Sequence, residues 1–169
     1  MERHQGIITF GGNPLTLAGT MVKVGDKAQD FTVLANDLKP HKLSDYAGKT
    51  RIISVVPSVD TGVCAAQTRR FNVEAAKLDN TVILTISCDL PFALGRFCAA
   101  EGIDKVVTLS DHRETEFGLK YGFLIEELRL LSRGIVIVDK EGIVRYVEYV
   151  KEVTTHPDYD KALEAARSL

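Results

Sequence analysis

Apolar positions along the chain change their period several times, and each change predicts an element. Ile7-Ile8-Thr9-Phe10 and Leu15-Thr16-Leu17 flank Gly11-Gly12-Asn13-Pro14, a cluster of turn formers, and read as a hairpin within about residues 1–20. Phe31-Thr32-Val33-Leu34 and the unbroken run Ile52-Ile53-Ser54-Val55-Val56 predict strands, the second buried on both faces and stopped by Pro57. The loop Ser58-Val59-Asp60 follows at that strand's C-terminal end. Over residues 61–78 the period becomes helical, with Cys64, Thr68, Phe71, Ala75 and Leu78 on one face. Cys64 then sits in the first helical turn, facing inward. Next come a strand over 81–87, a helix entered through Pro91 and ended near Gly102, and a strand over 105–109; proline at the first turn and glycine just past the end punctuate that helix. A short helix over 114–121 and a less regular apolar stretch over 123–131 precede strands at 135–138 and 143–149. Asp139-Lys140-Glu141-Gly142 joins those two as a hairpin turn. A last helix from Asp158 carries Tyr159, Ala162, Leu163 and Ala166 at helical spacing. Strands alternating with helices and closed by a late hairpin imply an α/β fold with a mixed central sheet flanked by helices.

Composition narrows the picture. A chain of 169 residues, 45% apolar and 26% charged, can bury one core, so a single domain over 1–169 is expected. Basic and acidic residues are interspersed for a net charge of -2, with no basic run longer than Arg69-Arg70, which argues against nucleic acid and anionic membranes as partners. No apolar stretch approaches the roughly 20 residues that span a bilayer, and the first residues lead into no signal-peptide core. A soluble, cytoplasmic protein is expected. Three cysteines in such a chain are no disulfide framework, so any bridge between them is chemistry and not scaffolding. Their spacings, 24 residues from Cys64 to Cys88 and 10 from Cys88 to Cys98, match no zinc motif.

The candidate chemistry lies at Cys64. A thiol at a helix N-terminus meets free backbone N–H groups and the positive end of the helix dipole, a setting that favours its anion. The Thr61 hydroxyl can donate to the sulfur or accept from a bound substrate. By position alone Cys64 reads equally well as a small core residue on the Phe71 face, and Thr61 as a plain N-cap. Arg133, between Leu130-Leu131 and a buried strand, is a permanent charge in need of a partner; a thiolate fits, and so does a surface carboxylate. Cys98, beside Phe97, reads locally as a core cysteine, and Cys88 as the end of a buried strand.

The string Pro57-Ser58-Val59-Asp60-Thr61-Gly62-Val63-Cys64-Ala65-Ala66 resembles the active-site motif of the peroxiredoxins, in the form found in their thiol peroxidase branch. Asp79-Asn80-Thr81-Val82, Asp89-Leu90-Pro91-Phe92-Ala93, Arg96-Phe97-Cys98, Ala100-Glu101-Gly102 and Thr154-Thr155-His156-Pro157-Asp158-Tyr159 extend the likeness over nearly the whole chain, opening hairpin included. The resemblance implies a thioredoxin-like fold with an N-terminal hairpin and an antioxidant peroxidase acting on hydrogen peroxide and alkyl hydroperoxides. It implies Cys64 as peroxidatic nucleophile, Cys98 as resolving cysteine forming an intrachain disulfide with it, and Thr61, Arg133 and Pro57 as their partners. No cofactor, a homodimer, and thioredoxin as reductant are also implied. The chain departs from the pattern in carrying Cys88, which has no place in that cycle, and in a shorter stretch between Tyr121-Gly122 and Arg133 than in some relatives. Two rivals stand beside this reading. A cysteine hydrolase would pair Cys64 with His112 or His156 as base, and a binding module would keep the thiols inert.

Overall fold

The computed structural model describes residues 1–169. Its main sheet is seven-stranded. The strands are β3 (Thr32–Leu34), β4 (Pro40–Lys42), β5 (Thr50–Val55), β6 (Thr81–Ser87), β7 (Val107–Ser110), β10 (Gly134–Val138) and β11 (Val144–Tyr149), in the order β11-β10-β5-β6-β7-β3-β4. β5, β6 and β7 run parallel; β10 is antiparallel to β5 and to β11. A second sheet, β1-β2-β8-β9, joins the N-terminal hairpin, β1 (Arg3–Phe10) and β2 (Asn13–Ala18), to β8 (Leu124–Ile125) and β9 (Leu130–Leu131). The helices are α1 (Gly62–Ala75), α2 (Pro91–Glu101), α3 (Glu116–Tyr121) and α4 (Tyr159–Arg167).

Because side chains alternate along a strand, the buried run of β5 divides between two cores. Ile52, with Ile83, Ile135 and Ile137, faces Cys64 and Phe71 of α1, Leu94 and Phe97 of α2, and Ala162, Leu163 and Ala166 of α4. Ile53 and Val55, with Leu84, Ile86, Val136 and Val138, face Phe117 and Tyr121 of α3 together with Phe31, Phe123 and Leu131. A third, smaller cluster of Ile8, Leu17, Ile125 and Val153 fastens the hairpin.

Several expected boundaries move. Thr61 is the N-cap of α1 and not part of it, and the helix ends at Ala75, so Leu78 packs from a turn. Strand β7 starts at Val107, two residues later than the pattern suggests, and α3 starts at Glu116 because Thr115 adopts a left-handed φ of 50°. β4 and the one-turn 3-10 helix Leu43–Tyr46 have no counterpart in the sequence reading. The punctuation of α2 is as expected, with Pro91 in the first turn and Gly102 at φ 65° after the end.

One glycine matters for the site. Gly134 opens β10 directly after Arg133, and a Cβ there would collide with the Glu148 carbonyl and the Phe123 ring. We expect Gly134→Ala to cost about 1–3 kcal/mol of stability through this overpacking. Urea unfolding checks it, and an unchanged midpoint would refute the crowding.

Candidate active site

The strand β5 ends at Val55, and Pro57, which cannot continue a ladder, turns the chain toward α1. Asp89, just past β6, holds this turn: its carboxylate accepts from Ser58 Oγ at 2.7 Å, from the Val59 N–H at 2.9 Å and from Ser87 Oγ at 2.8 Å. Thr61 adopts the extended conformation of an N-cap (φ -97°, ψ 151°), but its hydroxyl makes no capping bond. It donates instead to the Ser58 carbonyl at 3.2 Å and makes no hydrogen bond to the Cys64 sulfur, the first of the two roles the sequence allows it.

Cys64 is the third residue of α1 and fully buried. Its sulfur meets Arg133, whose Nη2 donates to Sγ at 3.1 Å. Arg133 is only 2% exposed, and each of its three nitrogens has its own partner. Nε donates to the Val153 carbonyl at 2.7 Å and Nη1 to Gln67 Oε1 at 3.0 Å. No carboxylate lies within 4.0 Å of the guanidinium. Gln67 is in turn fixed by donating to Ser54 Oγ at 2.8 Å. Gln67 and Asp89 were not singled out from sequence. The signal for Gln67 was present as a polar residue one helical turn after Cys64, on the inward stripe.

Beside these residues a pocket of about 230 Å³ opens, lined by Phe10, Pro57, Thr61, Val63, Arg133 and Val153 among others. Arg133 both lines the pocket and contacts the sulfur, so it links the buried Cys64 to the pocket. Neither candidate base accompanies the thiol. His112 is exposed, and His156 pairs through Nδ1 with Tyr159 Oη at 2.7 Å. Nowhere do three or more His, Cys, Asp or Glu side chains converge as metal ligands would.

Comparison with known proteins gives the family. The redoxin family model matches residues 23–163. The chain is 64% identical to a thiol peroxidase of Oceanobacillus iheyensis over 156 residues, covering 92% of this chain and 95% of that one. It is 60% identical to a thiol peroxidase of Bacillus subtilis over 162 residues, covering 96% and 97%. The chain belongs to the redoxin family, among its thiol peroxidases. Among solved structures, a peroxiredoxin-like protein from Aquifex aeolicus superposes with a TM-score of 0.91 at 37% identity, covering 98% of each chain. A thiol peroxidase from Chromobacterium violaceum superposes with a TM-score of 0.84 at 22% identity, covering 93% of each, and bears on the fold alone. The fold is thus the thioredoxin-like one expected, and membership of this redoxin branch makes the chain a peroxidase of the oxidoreductase class.

The two other thiols of this redoxin lie on opposite sides of the main sheet. Cys98, half-buried on α2, packs against the core that contains Cys64, and its Sγ lies 3.4 Å from Thr108 Oγ1. It also lines an open pocket of about 430 Å³ with Asn36, His41 and Thr108. Cys88 packs against the other core, where burial, then the charges of Asp111 and Asp89, push its thiol up to about 12. All three cysteines are free.

Proposed function

We propose that Cys64 reduces hydroperoxides and that Cys98 resolves the product. The observation that carries this reading is the buried Arg133 guanidinium, without a carboxylate, set 3.1 Å from the Cys64 sulfur. A buried positive charge requires a balancing negative one, and the thiolate is the group placed to supply it. The thiolate attacks the terminal oxygen of ROOH. The O–O bond breaks, sulfur becomes a sulfenic acid, and the other oxygen takes up a proton and leaves as water or an alcohol. Arg133 and the α1 N-terminal amides are suited to stabilise charge on the separating oxygens, with Thr61 and Pro57 shaping the approach. The apolar walls supplied by Phe10, Pro57, Val63 and Val153 suit alkyl hydroperoxides as well as hydrogen peroxide.

In the second half of the cycle the Cys98 thiol attacks the sulfenic sulfur, forming the Cys64–Cys98 bond and releasing water. A disulfide needs Cα atoms within roughly 7 Å, and in this scheme the first turn of α1 unwinds to bring Cys64 to Cys98. A dithiol protein of the thioredoxin type then reduces the bridge, with the open pocket at Cys98 supporting attack there. The cycle needs only side chains and backbone amides, and it suits the reducing cytosol. We read the working unit as a homodimer, which light scattering would check.

Mass spectrometry of the protein before and after about one equivalent of peroxide, without reductant, tests the scheme. We expect a loss of two hydrogens, mapping to a Cys64–Cys98 peptide pair. A Cys64–Cys88 pair would overturn the resolving assignment, and an unmodified Cys64 would overturn the whole reading.

A further inference from the structure

Glu152 lies outside the motif, yet it collects more hydrogen bonds than any other carboxylate near the pocket. Its Oε1 accepts from Thr9 Oγ1 at 2.8 Å and from the Gly12 N–H at 2.8 Å. Its Oε2 accepts from the Gly11 N–H at 3.1 Å, the Thr154 N–H at 2.8 Å and Thr154 Oγ1 at 2.7 Å. Gly11 and Gly12 both have positive φ, 59° and 84°, so their successive N–H groups converge into a concavity that takes an anion. The donors from Thr154, followed by Gly12 and Thr9, hold the Glu152 carboxyl well below the usual carboxylate range. One ionised group therefore fastens the tip of the N-terminal hairpin to the segment after β11.

That segment leads to Arg133. Beside Glu152 the chain pairs with β1: the Thr9 N–H donates to the Lys151 carbonyl at 2.7 Å, and the Val153 N–H donates to the Thr9 carbonyl at 2.9 Å. The other end of Val153, its carbonyl, accepts from Arg133 Nε at 2.7 Å. The Val153 backbone is thus held by the hairpin on its N–H side and holds the guanidinium on its C=O side. Phe10 and Thr154, which flank the clamp, also line the pocket.

We infer that Glu152 is a positioning residue for the peroxidatic step, acting through the Val153 carbonyl to aim Arg133 at Cys64 and making the N-terminal hairpin part of the active site. This rests on the proposed role of Arg133. Glu152→Gln keeps the size but turns an NH2 group toward N–H donors, so at least one bond to the hairpin or to Thr154 is lost. A shift of the guanidinium by a fraction of an ångström slows attack without touching resolution by Cys98.

The test follows the fast phase of Cys64 oxidation by hydrogen peroxide in stopped flow, together with the slower disulfide-forming phase. Glu152→Gln is expected to slow the first roughly tenfold and leave the second within about twofold. Combined with Arg133→Lys it should add less than about twofold, since groups acting as a unit are not additive. Thr9→Val, which removes one bond but keeps the charge, should give a smaller slowing in the same phase. Hydrogen exchange of the Arg133 Nε–H, read by NMR in reduced protein, should speed up in Glu152→Gln whatever the activity does. A wild-type first phase in Glu152→Gln beside a slow Arg133→Lys would overturn the clamp alone. Equal slowing of both phases, or full additivity with Arg133→Lys, would mean general loosening and overturn it too. An Arg133→Lys variant as fast as wild type would bring down the reading of Arg133 and the clamp with it.

Discussion

Arg133→Lys is expected to slow oxidation of Cys64 by about 100-fold while the charge at the site is preserved. The size follows from what one preorganised donor contributes at a site of developing charge, on the order of 100-fold in rate. Arg133 serves three partners with three nitrogens: the Val153 carbonyl, Gln67 and the Cys64 sulfur. A lysine ammonium is a point charge on a flexible stem and cannot reach three partners arranged around a planar fork. Whichever it abandons is left buried, so a loss of about 1–3 kcal/mol in stability accompanies the slower rate. Stopped-flow oxidation and urea unfolding measure the two effects separately. A lysine variant with wild-type oxidation kinetics would remove Arg133 from the mechanism.

The second large effect is expected in Cys98→Ser, which should consume about one equivalent of peroxide and then stop. The first step needs only the Cys64 sulfur, whereas turnover needs a second thiol to displace the sulfenic hydroxyl. The stalled protein should carry a trappable sulfenic acid on Cys64 and go on to sulfinic acid in excess peroxide; Cys88→Ser should turn over normally. Chain entropy does not choose between the two partners, because closing 34 residues instead of 24 costs only about 0.3 kcal/mol more. Packing does distinguish them: Cys98 shares the core of Cys64, and Cys88 does not. The start of α1 also favours opening, since the Thr61 hydroxyl forgoes a capping bond that stabilises a helix by about 1 kcal/mol. In addition, Thr68 Oγ1 bonds back to the Cys64 carbonyl at 2.9 Å, a contact that tends to weaken a helix. Sustained coupled turnover by Cys98→Ser would overturn the resolving role.

Long elements with one clean period were legible in the sequence. The start of the helix carrying Cys64 and the end of the buried strand before it were each read to within one residue, because Thr68 and Phe71 repeat on one face and Pro57 stops the strand. Short edge elements were not. β4 has three residues and no buried side chain, so no alternation can register, and β8 and β9 have two residues each, paired only after distant segments meet. Arg133 shows where reading a site from sequence stops. Its neighbours fitted a buried charge and a surface one equally well, and only assembly of β10, α1 and the Val153 segment settles the matter. Glu152 and Asp89 were opaque for a related reason: each accepts from donors on a distant chain segment, Gly11, Gly12 and Thr9 for the one and Ser58 and Val59 for the other, which only the fold brings to it.

The division of the three thiols by the main sheet has a consequence for chemical fidelity. A disulfide is open to exchange with any thiolate that reaches it, and a third cysteine in reach would scramble the bridge or strand it in a form the reductant cannot use. The seven strands act as insulation between two compartments. In the proposed cycle, oxidising equivalents taken up at Cys64 would stay on the side shared with Cys98, and Cys88, packed against the other core with its thiol pushed up, would stay out of the circuit.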